Sequence, residues 1–156
     1  MKIRILAVGT KMPSWVEQGF SDYTQRLKST QSVDLVEIPL AKRGKNSDIK
    51  KAMAAEADAI QKQIRVREKM VILDVIGKPL STQSLARKLA DWQMDGSDIA
   101  LVVGGPDGLD PRFKKLCQES WSLSDLTLPH PLVRLVLIEQ LYRGLMINAN
   151  HPYHRE

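Results

Sequence analysis

The chain has 156 residues, of which 43% are hydrophobic and 26% charged, and a formal net charge of +5. This is the size and balance of one globular domain with a sizeable core, and no apolar run reaches the roughly 18 residues that a membrane span needs. The single cysteine, Cys117, excludes an internal disulfide and a cysteine-rich zinc site, while MKIRILAVGT at the amino terminus is too short and too charged for a signal peptide's apolar core, so a cytoplasmic address is expected.

Residues 2–8, KIRILAV, read as a strand ending at Gly9. Trp15, Val16, Phe20, Tyr23 and Leu27 recur at spacings near three and four, which predicts a helix over 14–28. VDLVEI, 33–38, is a second strand closed by Pro39. The polar loop AKRGKNSD follows, with Lys42, Arg43 and Lys45, and Ser47 or Asp48 can cap an alanine-rich helix over about 49–64. KMVILDVIG, 69–77, is apolar on consecutive positions, as a strand buried on both faces should be. Ser81 or Thr82 caps a helix to about Asp95, and DIALVVGG is the fourth strand. Pro111–Glu119 reads as a short helix, WSLSDLTLPH as an extended segment, and Pro131–Asn148 as the longest helix, followed by the tail HPYHRE. Strands alternating with helices predict an α/β fold with a largely parallel sheet.

The last helix carries Leu132, Val133, Leu135, Val136, Leu137, Ile138, Leu141, Leu145, Met146 and Ile147. They cover more than one stripe, so the helix must be buried on more than one side. Either it is the central helix of a monomer or, as expected for so small a domain, one side is covered by another subunit.

GGPDGL, residues 104–109, closes the fourth strand. Its G-G-x-x-G spacing is not the dinucleotide fingerprint, and no phosphate-binding Walker motif is present. A tight turn accounts for part of it. A glycine doublet at the carboxyl end of a buried parallel strand also stands where ligands bind. In the next segment Leu123, Leu126 and Leu128 alternate loosely with Ser122, Ser124, Asp125 and Thr127. That is an edge strand or a slot for a flat, hydrogen-bonding ring such as adenine. His151, Tyr153, His154 and Arg155 crowd the tail with groups that suit an RNA contact. Two histidines do not make a metal site, so no metal is expected. The excess of positive charge, with Lys42, Arg43 and Lys45 in one loop, favours a polyanionic partner, although such loops are often only solvated surface. No nucleophile elbow is present.

In order, AVGTKMP, PLAKRGKN, GGPDGL, SLSDLTLPHPLVR and NHPYHRE resemble the ribosomal RNA large-subunit methyltransferase H family of the SPOUT superfamily. The likeness runs from Met1 to Glu156 as a single domain, 1–156. It implies a mostly parallel sheet with helices on both faces and a carboxyl-terminal trefoil knot, which general topology rules would not propose. It also implies a homodimer that binds S-adenosyl-L-methionine and methylates N3 of a pseudouridine in the 23S rRNA of the assembled ribosome. By resemblance Leu73, Gly104, Gly105, Leu123, Ser124, Asp125, Leu126, Thr127 and Leu128 hold the cofactor, with the glycines letting backbone approach it. Asp125 stands where a small residue is expected. The tail then completes the other subunit's site. Arg155 is the charge stabiliser or RNA clamp, Tyr153 the stacking or positioning group, and His154 or His151 the proton acceptor. The rival readings are a non-catalytic ribosome-binding factor and a SPOUT methyltransferase acting on transfer RNA.

Overall fold

Every residue of strand β1 (Ile3–Val8) is buried, because β1 is flanked by a neighbour on each side. The computed structural model describes residues 1–44 and 48–154. Strand β1 pairs in parallel with β2 (Val33–Ile38) and with β4 (Asp98–Val103). Strand β3 (Glu68–Pro79) pairs in parallel with β4 and, on its other edge, with β5 (Glu119–Ser122). The sheet therefore runs β2-β1-β4-β3-β5 with all pairings parallel.

Alternation along the strands sends side chains to opposite faces. Ile3, Ile5, Ala7, Leu101 and Val103 point to one face, packed under α1 (Ser14–Leu27), α3 (Thr82–Asp95) and α5 (His130–Asn148). Leu6, Val8, Ala100 and Val102 point to the other, covered by α2 (Ile49–Gln63) and α4 (Pro111–Lys114). The fold is thus α/β, with helices on both faces. Asp48 caps α2 by accepting from the Lys50 amide at 2.9 Å, and Ser81 caps α3 by accepting from the Ser84 amide at 3.1 Å. Ser47 and Lys45 lie outside the described residues. No helix among the described residues is long and apolar enough to cross a membrane.

The chain between β4 and α5 departs from the expectation. The helix expected over Pro111–Glu119 is a single turn, Pro111–Lys114, capped by Asp110. The released residues form β5, whose Trp121 is buried and stacks on Trp92 of α3 at 5.5 Å. Only Trp121 and Ser122 of the expected extended segment are strand; from Leu123 to Pro129 the chain bends into a loop. Strand β3 is also longer than expected and arches away from β5: Leu73 pairs with Trp121, and so does Lys78, five residues on. Gly77 makes this crossing possible, since a Cβ there would lie 2.5 Å from the Trp121 carbonyl carbon.

Helix α5 lies against both α1 and α3, so much of its apolar surface is buried within one chain. Leu132, Leu135 and Val136 remain partly exposed. Arg134, itself buried, ties the start of α5 to the carboxyl ends of β1 and β2, donating to Glu37 Oε2 at 2.7 Å and to the Gly9 carbonyl at 2.6 Å.

Candidate active site

A cleft of about 730 Å³ opens at the carboxyl ends of β4 and β5, beside the middle of β3 where it leaves β4. Ligands bind at this edge of a parallel sheet because helix starts and loops, not strands, surround it. Eight of the nine residues named by resemblance line it: Leu73 midway along β3, at its last pairing with β4, Gly104 and Gly105 after β4, and Leu123, Ser124, Leu126, Thr127 and Leu128 after β5. Asp125 is exposed and does not contribute to the lining.

The fold itself also requires the glycine doublet. A Cβ on Gly104 would come within 3.0 Å of the Gly108 carbonyl carbon and the Leu109 side chain, and one on Gly105 within 3.0 Å of Val8. The space that these glycines leave is taken by the chain itself. Gly108, with φ +81°, is the residue that turns the loop.

The leucine segment is shaped by its serines. Ser122 Oγ donates to the Ser124 carbonyl at 3.1 Å, and Ser124 Oγ accepts from the Leu126 amide at 2.9 Å. The amides of Thr127 and Leu128 have no partner among the described residues. Charged groups also reach the cleft. Asp74 pairs with Lys114 at 2.5 Å, and Asp107 with Arg43 at 2.6 Å. Arg43 is held as well by the buried Glu56 at 2.6 Å, so it is not the free phosphate-binding cation that the basic loop suggested. Lys42 beside it is exposed. His130, at the start of α5, closes the rim, with no partner for its buried Nδ1 among the described residues. Burial, and then the charge of Arg134, lower its pKa below the ordinary value.

The tail residues gather elsewhere. The Tyr153 ring meets Tyr142 edge-on at 4.6 Å, and its hydroxyl donates to Glu139 at 3.2 Å, beneath the Arg143 guanidinium. The His151 amide donates to the Met146 carbonyl, and its Nδ1 accepts from the Tyr153 amide at 3.2 Å. The buried Nδ1 of His154 has no partner among the described residues. Arg155 lies outside them. Cleft and tail occupy opposite ends of α5, a helix about 28 Å long at 1.5 Å per residue. Within one chain the described tail residues, up to His154, therefore lie away from the cleft. Among the described residues no group of three or more histidine, cysteine, aspartate or glutamate side chains could hold a metal.

The family model described as "Predicted SPOUT methyltransferase" matches residues 1–154. Two proteins named ribosomal RNA large subunit methyltransferase H are similar over their whole length. The one from Saccharophagus degradans is 52% identical over 155 residues, 99% of this chain and 100% of the relative. The one from Marinomonas sp. is 49% identical over the same shares. The chain belongs to the ribosomal RNA large-subunit methyltransferase H family of SPOUT methyltransferases.

A solved structure titled as a probable methylase family protein, from Haemophilus influenzae, is similar in fold, with a TM-score of 0.58 at 16% identity over 99% of this chain and 70% of that one. Sequence reasoning missed several groups that face the cleft of this SPOUT methyltransferase. Asp74 had a signal, since it is the one charged residue inside the apolar run VILDVIG. Lys114 had none, because its position depends on α4 stopping after one turn.

Proposed function

We propose that this chain is an S-adenosyl-L-methionine-dependent methyltransferase acting on N3 of a pseudouridine in the 23S rRNA of the assembled ribosome. It works as a homodimer in which each cleft is completed by the other protomer's tail. The observation that carries this reading is that eight of the nine residues named by resemblance line one cleft, while the described part of the tail lies at the far end of α5. A cytoplasmic site of action and the superfamily's trefoil knot belong to the same reading.

The residues present fit the cofactor. The cleft is within the size range of small-molecule sites, roughly 300 to 1,000 Å³. Its leucine wall offers an apolar face to adenine, and the free Thr127 and Leu128 amides can donate to the ring edge. Bound S-adenosyl-L-methionine supplies a methyl group on a positively charged sulfur that is already a good leaving group. The protein's main contribution is alignment of acceptor and methyl, which can supply roughly 7 to 11 kcal/mol. The pseudouridine N3 must also lose its proton. His151 or His154 is the acceptor, Arg155 stabilises the negative charge on the base, and Tyr153 positions it. The partly exposed Leu132, Leu135 and Val136 on α5 support a second protomer against that face.

Two measurements test this. Calorimetry with S-adenosylhomocysteine should show binding, and labelled methyl transfer should occur on intact ribosomes and not on free transfer RNA. No binding would favour a non-catalytic ribosome-binding factor, and transfer to transfer RNA would favour a different SPOUT substrate.

A further inference from the structure

Two opposite charges face the cleft side by side. Asp74 is the first residue beyond the point where β3 leaves its neighbours, and Leu73 before it pairs with both Val103 and Trp121. Asp74 therefore stands between the glycine loop and the leucine segment. Lys114 ends α4 on one face of the sheet, across from His130 of α5 on the other. Their side chains are 11% and 29% exposed, and the ammonium and carboxylate are 2.5 Å apart.

The other carboxylate that lines the cleft, Asp107, already has a counter-ion. Asp107 is paired with Arg43, and Ser122 and Ser124 shape their own loop. A partly exposed ion pair contributes little to folding. Placed in a mainly apolar cleft, however, this one offers a cation and an anion within reach of a single ligand group.

We infer that the Asp74–Lys114 pair forms the polar end of the cleft and binds the α-amino-acid group of the methyl donor, its ammonium on Asp74 and its carboxylate on Lys114. The inference rests on reading the cleft as an S-adenosyl-L-methionine site. An α-amino acid carries both charges on one carbon, which suits two adjacent, opposite partners. Each protein charge then exchanges one contact for two, in a site that excludes much of the water. The apolar leucine segment is left for the nucleoside, so the pair divides the ligand into a charged end and a flat end.

The test compares S-adenosylhomocysteine with 5′-methylthioadenosine, which keeps the nucleoside and sulfur but lacks the amino acid. Calorimetry on the wild-type protein should show both binding, the first more tightly. Lys114→Met should weaken S-adenosylhomocysteine about tenfold or more, the scale of one charged hydrogen bond, and leave methylthioadenosine within about twofold. Asp74→Asn should behave in the same way, and Lys114→Arg should retain most of the affinity. Binding of methylthioadenosine reports that each variant is folded with an intact nucleoside slot. Equal weakening of both compounds, or of neither, would overturn the inference while leaving the cofactor site standing. If the wild-type protein binds neither compound, the cofactor reading itself fails and the inference goes with it.

Discussion

Arg43 joins the glycine loop to helix α2 through one guanidinium: its Nε lies 2.6 Å from Asp107 Oδ2 and its Nη1 lies 2.6 Å from Glu56 Oε1. Asp107 belongs to the glycine loop of the cleft, whereas Glu56 is buried in α2 and also accepts from the Ala41 amide at 3.1 Å. The residue that looked like a surface cation in the sequence is a brace for the wall of the site.

The two halves of this brace are unequal. Arg43→Ala leaves the Glu56 carboxylate buried without its counter-ion, which should cost about 3 kcal/mol. Asp107→Asn keeps the Arg43–Glu56 pair and loses only a more exposed contact, at under about 1 kcal/mol. Urea unfolding at pH 7 and one fixed protomer concentration measures both. Equal losses would show that the tie to the glycine loop, not the buried glutamate, carries the energy.

Of the chain's glycines, Gly77 leaves the least room for a side chain. Its missing Cβ would stand 2.5 Å from the Trp121 carbonyl carbon and 2.8 Å from the Trp121 nitrogen. These are backbone atoms of a buried strand, so they cannot swing aside as a flexible side chain would. Gly77→Ala should destabilise by about 3 kcal/mol, the upper part of the range for overpacking. A thermal midpoint unchanged from wild type would mean that the β3 arch relaxes freely, and that the cleft floor is softer than its geometry suggests.

These positions show what could be read from the chain beforehand. Strands β1 and β4 and helices α1 and α3 announce themselves by apolar runs or by spacing, because local burial pattern is what forms them. Strand β5 does not. ESWS has no distinctive period, and it is a strand because Trp121 finds Trp92 on α3 and an open edge of β3. The cleft's leucines and glycines were legible through collinear motifs rather than through spacing. The pairings Asp74–Lys114 and Arg43–Asp107 were not, since each joins residues far apart in the chain that only the sheet order brings together.

Acid should act on the cleft through His130. Burial, and secondly the Arg134 charge, depress its pKa, so the folded chain resists a proton that the unfolded chain accepts near the ordinary 6.5. The stability that depends on the neutral imidazole is complete above pH 6.5 and is lost as the pH falls through the depressed folded value. His130→Gln removes the titrating group and keeps a polar side chain. Its urea midpoint should fall less steeply than that of wild type as the pH drops below 6.5. Parallel profiles would show that the imidazole titrates freely in the folded chain.

The separation of cleft and tail along α5 makes the dimer reading testable by mixing two defective chains. Thr127→Trp places a bulky ring on an exposed lining position and should block the cleft without disturbing the core. Arg155→Ala should leave S-adenosylhomocysteine affinity within about twofold and lower methyl transfer about a hundredfold, the scale of one charge-stabilising group. Each homodimer alone is then inactive. In a mixed dimer, the chain with the open cleft meets the intact tail of the chain whose cleft is blocked. If tails act across the interface, one site in each mixed dimer is complete. With random exchange of equal amounts, half of the dimers are mixed, so activity on ribosomes should recover to about a quarter of wild type. If each tail serves its own cleft, every site in the mixture retains one defect and no activity returns. That result would require α5 or the tail to rearrange by most of the helix's length, and would rule out the composite site.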